Sequence, residues 1–154
     1  MAKQILESIF QKSLNQYKHK WYFEKLQVNR FAHCKTSADY NVFTPQYRYK
    51  VECKETDIRK ENKSFPFSRL TQKDALIYFE NHQINNFSRV LLSFRRKFIR
   101  DSEFFLVPIK IFVNLERSIN KKSVNLIDLN NKVLQYKVKV LKGLLQLCYT
   151  RFII

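Results

Sequence analysis

The chain has a single glycine and three prolines in 154 residues. One glycine cannot build the loops of a Walker-type NTPase or a dinucleotide fingerprint, which need several glycines at fixed spacing. The nucleophile elbow of an α/β-hydrolase is excluded for the same reason. Turns must therefore rest on Asn, Ser, Asp and Lys. Cysteine is also scarce. Cys34, Cys53 and Cys148 show no paired spacing, and the N-terminus carries no apolar signal-peptide core. Reduced intracellular thiols are expected rather than disulfides. His33-Cys34 lacks a C-x-x-C partner, so no zinc site is expected there. No apolar run reaches the roughly 18–20 residues of a membrane span. The chain is expected to have no membrane partner and a cytoplasmic, nucleoid-associated location.

Acid is the other scarcity. Thirteen Asp and Glu stand against 29 Lys and Arg, a formal net charge of +16. Such a field favours a polyanion, with nucleic acid first. The length fits one domain, residues 1–154, able to bury a core. A 45% hydrophobic content excludes a disordered composition.

Five of the few acids, Asp39, Glu52, Glu55, Asp57 and Glu61, fall within 23 positions. The segment Gln46–Lys54 alternates. Tyr47, Tyr49, Val51 and Cys53 share one face, and Gln46, Arg48, Lys50, Glu52 and Lys54 share the other. Thr44-Pro45 signals a turn, so a strand from Ala38 to Phe43 would fold back and bring Asp39 to Glu52. Two carboxylates and an ammonium at one spot suit metal-dependent phosphodiester hydrolysis. Mg²⁺ is held by one or two carboxylates plus water and phosphate, and it stabilises charge developing on phosphorus. Lys54 would orient the attacking water. The bland alternative is an amphipathic edge strand whose Glu and Lys face solvent.

Asp39…Glu52-x-Lys54 resembles the PD-(D/E)xK nuclease signature without its proline. Asp39-Tyr-Asn, Glu52-Cys-Lys-Glu-Thr56, Asn62-Lys-Ser-Phe-Pro-Phe67 and His82-Gln-Ile84 resemble, in that order, the RecU family of Holliday junction resolvases. Lys122-Ser-Val124…Asp128-Leu129 resembles that family's C-terminal part. The resemblance implies an α/β fold with a restriction-endonuclease-like central mixed β-sheet flanked by helices. It also implies a homodimer, dependence on Mg²⁺ with Mn²⁺ able to substitute, and symmetric nicking of four-way DNA junctions alongside recombination proteins. It departs from the family in a shorter connection at Glu24–Thr36, an insertion of about nine residues before His82-Gln83, and the loss of flanking glycines. Another PD-(D/E)xK nuclease acting on flaps, nicks or duplex ends, a junction-binding protein without catalysis and a basic RNA-binding protein therefore stand as alternatives.

The remaining expectations follow the chain. Ile5, Leu6, Ile9, Phe10, Leu14 and Tyr17 predict a helix over 2–18. Its one acid, Glu7, either favours the helix dipole or, as the resemblance implies, joins the metal site. Trp21–Phe23 reads as a strand. The connection after it offers Lys25, Arg30 and Lys35 to phosphates. Phe65-Pro66-Phe67 reads as a rigid turn. The next helix is expected to begin after Ser68 or Thr71 and reach Asn86, burying Ala75, Leu76, Phe79 and Ile84. The resemblance gives Gln83 a place near the active site, orienting water or phosphate. Strands are expected at Ser88–Phe94 and Glu103–Pro108, joined by a turn whose Arg95, Arg96 and Lys97 form a candidate phosphate clamp. Ile109–Arg117 suggests a short helix, Lys121 and Lys122 a basic loop, and Asp128 a cap or a solvent-facing acid. Leu134–Tyr149 reads as a basic amphipathic helix.

Overall fold

The computed structural model of the protein describes residues 2–26, 38–59 and 64–147. The chain starts with helix α1 (Ala2–Asn15) and runs through strands β1 (Tyr22–Lys25), β2 (Tyr40–Phe43), β3 (Arg48–Asp57) and β4 (Ser64–Pro66). Helix α2 (Lys73–His82), β5 (Asn86–Arg95), β6 (Glu103–Pro108), α3 (Ile109–Ile119), β7 (Ser123–Asn125) and α4 (Leu126–Lys132) follow. The described chain ends with the short strands β8 (Lys137–Val138), β9 (Val140–Leu141) and β10 (Leu144–Leu145).

Six strands form one mixed sheet in the order β1-β2-β3-β5-β6-β8. The long central pair β3 and β5 is parallel, and every other neighbouring pair is antiparallel. This is the α/β architecture expected from the sequence, with helices on both faces. The period-2 alternation of the strands builds two apolar layers. On one face Leu6, Phe10 and Leu14 of α1 pack against Tyr40, Tyr49, Val51, Cys53, Leu91 and Phe104. On the other, Leu76 of α2 and Phe112 of α3 pack against Val90, Leu92, Phe94, Phe105 and Val107. With both faces covered, β3 is a buried central strand and not a solvent-facing edge.

Several boundaries differ from expectation. Helix α1 stops at Asn15 and gives way to turns. Phe65-Pro66 is not a free turn. It lies in β4, which pairs with β7, and Phe67 opens a 3₁₀ turn. Proline is tolerated there because this ladder has two strands and leaves Pro66 at an edge. Helix α2 is shorter than expected and buries only Leu76; Ala75 and Ile84 are exposed. Among the described residues, the expected C-terminal helix is a β-hairpin instead. Leu141 pairs with Leu144 around Lys142-Gly143, whose φ angles are 54° and 75°. Two successive positive φ values make the tight turn that matches strand twist, and the chain's one glycine is used there. Asparagine supplies a second left-handed residue, as Asn120 (φ 54°) ends α3. Asp128 closes a capping box with Asn125 at the start of α4, the capping role expected of it.

Candidate active site

The β2–β3 hairpin sets the acidic group. Tyr40 pairs with Val51 at the end of the ladder, and Asp39 precedes it where the regular register stops. The Asp39 backbone N–H donates to the Val51 carbonyl at 3.1 Å. The carboxylate oxygen Oδ2 of Asp39 accepts from the Cys53 N–H at 2.8 Å. That bond locks the carboxylate against β3 where the regular ladder ends.

Alternation puts Glu52 and Lys54 on the face away from α1, where their β5 partners are Val90 and Leu92. Glu52 is fully buried, and Lys54 Nζ stands 2.8 Å from its Oε1 with the lysine side chain only 11% exposed. A buried carboxylate needs such a partner, because an uncompensated charge in a low-dielectric interior is costly.

Glu7 comes from α1 on the other face. Its Oε2 meets Lys25 Nζ of β1 at 2.6 Å, and its backbone carbonyl accepts from the Tyr40 hydroxyl at 3.2 Å. Burial pushes the Tyr40 phenol far above its ordinary pKa, and the charges of Cys53, Glu7 and Asp39 push it further. Glu7 and Asp39 therefore act on one hydroxyl. Lys25, expected to touch phosphates, is paired with Glu7.

The donor set fits a hard divalent cation. Among the described residues no three Asp, Glu, His or Cys side chains gather so as to hold a metal ion, so Glu7 does not join Asp39 and Glu52. Mg²⁺ does not need three, since it retains waters and takes one or two carboxylates. Asp39 and Glu52, one on each of two adjoining segments, are the two carboxylates that would hold it.

The rest of the predicted set is dispersed. Gln83 ends α2 with extended backbone and lies by Arg48 and Asn86, where β3 and β5 begin. Arg48 to Lys54 spans about 20 Å of strand, so Gln83 is not brought to the acidic group. The inserted helix α2 ends at the wrong end of the sheet for that role. Arg95 does not stand free as a phosphate clamp. Its guanidinium is 2.9 Å from Asp57 Oδ2, with its Nε 3.4 Å from Glu55 Oε1, while Arg59 forks onto Asp57 at 2.8 and 3.0 Å. The Arg59 hydrogen bonds hold the Asp57 carboxyl well below the usual range. Burial pushes the Glu55 carboxyl up, with Arg95 opposing.

Arg96 is half exposed and 4.0 Å from Glu103, and Lys97 lies over the Phe98 ring. Lys121 reaches Asp128 at 3.5 Å, and Lys121 and Lys122 line an open cleft beside Phe67. Arg30 and Lys35 lie outside the described residues. Sequence reasoning passed over Arg48 and Lys50, although the alternation that found Glu52 and Lys54 puts them on the same face of β3.

Among the described residues, no helix is long and apolar enough to cross a membrane. No protein-family model matches the chain, and no curated protein matches it. Among solved structures it is similar to Hjc, a Holliday junction resolvase from Archaeoglobus fulgidus, with a TM-score of 0.50 and 13% sequence identity. The match covers 81% of this chain and 89% of that one. At this identity the likeness concerns the fold, a mixed central sheet flanked by helices.

Proposed function

We propose that the protein is a metal-dependent nuclease of branched DNA, acting as a Holliday junction resolvase of the RecU-like kind. The carrying observation is the end of the β2–β3 ladder, where the Asp39 carboxylate accepts from the Cys53 N–H next to Glu52, and Lys54 Nζ contacts Glu52. The +16 charge and the fold shared with an archaeal resolvase support the same reading.

In this reading Asp39 and Glu52 would hold Mg²⁺, or Mn²⁺ in its place, while Glu7 stays on the α1 face with Lys25 and stands outside the pair. The bound cation would polarise the phosphodiester and neutralise developing charge. Asp39 keeps its orientation through the Cys53 N–H, which leaves its position independent of substrate. Lys54 lies within contact of Glu52 and donates to the phosphate oxygen on which charge grows. Symmetric nicking requires two sites about a two-fold axis, so the acting species is a homodimer. The protein would work in the cytoplasm on the nucleoid, with recombination proteins as its company.

The test is cleavage of a labelled four-way junction against matched duplex, in Mg²⁺ and in EDTA. Paired nicks in opposing strands, absent in EDTA, are expected. One observation favours a second reading, a junction-binding protein without catalysis: Glu52 is fully buried and closed by the Lys54 ammonium. Tight junction binding without cleavage in either metal would select it. Equal cleavage of duplex and junction would select a nuclease of broader substrate range.

A further inference from the structure

At the opposite end of β3 from Asp57, a groove of about 500 Å³ opens between the first residues of β3 and the last turns of α2. That volume falls within the range of small-ligand sites. Its walls include Arg48, Lys50, Tyr78, Phe79, His82 and Asn86. Tyr78 is 71% exposed, and its ring stacks on His82 one helical turn along, with centroids 5.7 Å apart. The ring thus offers the groove a broad apolar face with a polar tip.

Cations accompany the rings. Arg48 is exposed at the groove's edge. Lys50 Nζ lies 5.2 Å from the Phe79 centroid and donates to Asn41 Oδ1 at 3.2 Å. The nearby Glu80 accepts from the Ser88 N–H at 2.9 Å and faces Lys110 at 3.6 Å. Asn86 is 4% exposed, its amide nitrogen donates to the Phe79 carbonyl at 3.0 Å, and its Oδ1 has no hydrogen-bond partner among the described residues.

We propose that this groove binds single-stranded nucleic acid, with a base stacked on Tyr78 and its flanking phosphates against Arg48 and Lys50. Stacking platforms interleaved with cations bind single strands because every base offers a π-face and every nucleotide a phosphate. Arg48, Lys50, Glu52 and Lys54 share one face of β3, and Arg48 to Glu52 is about 13 Å of strand. The groove thus holds an unpaired stretch a few nucleotides from the acidic group. Only that placement rests on the nuclease reading; the binding itself does not need it.

The test uses the full chain in EDTA and a single-stranded oligonucleotide carrying 2-aminopurine, whose fluorescence falls when it stacks. Wild-type protein is expected to quench the probe. Tyr78→Ala removes an exposed ring, so the fold should survive, as circular dichroism will check. It should weaken binding about tenfold and abolish the quench. Tyr78→Phe should restore both, and Arg48→Ala should weaken binding while keeping the quench. Unchanged quenching in Tyr78→Ala overturns the proposal. So does a Tyr78→Ala effect confined to self-association in sedimentation, which would mean that a second copy of the chain fills the groove. Metal-dependent cleavage of junctions is measured separately, so failure of the nuclease reading leaves this result readable.

Discussion

Lys54 Nζ stands 2.8 Å from Glu52 Oε1 at a position where both side chains are almost sealed from water. The ammonium is the countercharge the structure sets beside that buried carboxylate. Lys54→Met should therefore cost about 3 kcal/mol, the usual consequence of breaking a buried ion pair. If the proposed cation also sits on Glu52, Mg²⁺ should restore part of that stability by binding the folded state. The expected result is a Tm rise with Mg²⁺ that is larger in Lys54→Met than in wild type. Equal rises would detach the metal from Glu52.

Chemistry and binding should separate at Asp39. Asp39→Ala removes a proposed ligand and the acceptor for the Cys53 N–H. Metal-dependent cleavage should fall at least about 100-fold. Junction affinity should hold, because it comes mainly from phosphate contacts elsewhere. Gel shift in EDTA and single-turnover cleavage in Mg²⁺ measure the two quantities. Cleavage at the wild-type rate would remove Asp39 from the site.

Glu55 sets a pH dependence of defined sign. Burial raises its folded pKa above the unfolded value, with Arg95 only partly opposing. Between those two values the folded state binds more protons, so stability falls as pH rises through the window. Above it the penalty is fully present. Glu55→Gln removes the titration, and Arg95 keeps Asp57 as a partner. The variant should match or exceed wild type in Tm at pH 7, and the difference should shrink towards pH 4. Asp57 carries the opposite sign. Its depressed pKa contributes stability above the unfolded value, and that contribution is lost as acid protonates it.

The strands were the legible part of this chain. Period-2 alternation around Glu52 and the apolar runs at β5 and β6 identify buried strands, because a sheet covered on both faces leaves little else for such runs to be. The approach of Asp39 to β3 was also legible, since Thr44-Pro45 signals the hairpin that makes it, and its carboxylate meets the Cys53 N–H beside Glu52. The cationic set was less legible. Nothing local in Arg95 or Lys25 says that each lies beside a carboxylate distant in sequence, and those pairs exist only once the sheet has formed. The C-terminal segment failed differently. Val138, Leu141, Leu144 and Leu145 satisfy a helical stripe, but the glycine in the middle of that stripe was the contrary signal.

That glycine supports a prediction of its own. Gly143 has φ +75°, and a Cβ added there would meet nothing within 4 Å. The cost of Gly143→Ala is then backbone strain alone, about 1 kcal/mol. Lys142, at φ 54° in the same turn, already carries that strain. Lys142→Asn should therefore stabilise by a few tenths of a kcal/mol, because asparagine tolerates the left-handed region better. Urea midpoints should move in opposite directions for the two variants. A helical segment here would instead gain from Gly143→Ala, since alanine is the better helix former.

The β5–β6 turn allows structural and electrostatic arginines to be told apart by salt. Arg95 is 20% exposed and engaged with Glu55 and Asp57, whereas Arg96 is 50% exposed and only distantly opposed by Glu103. Each phosphate contact contributes about 0.9 to the slope of log affinity against log salt for duplex DNA. Arg96→Ala and Lys97→Ala should each lower the slope by about 1 for junction binding and leave Tm within about 1 °C. Arg95→Ala should leave the slope nearly unchanged and lower Tm, because it strands the buried Glu55. A loss of slope without a loss of Tm in Arg95→Ala would mean that DNA draws Arg95 away from its carboxylates. The turn would then act as the clamp that its four cations in six residues first suggested.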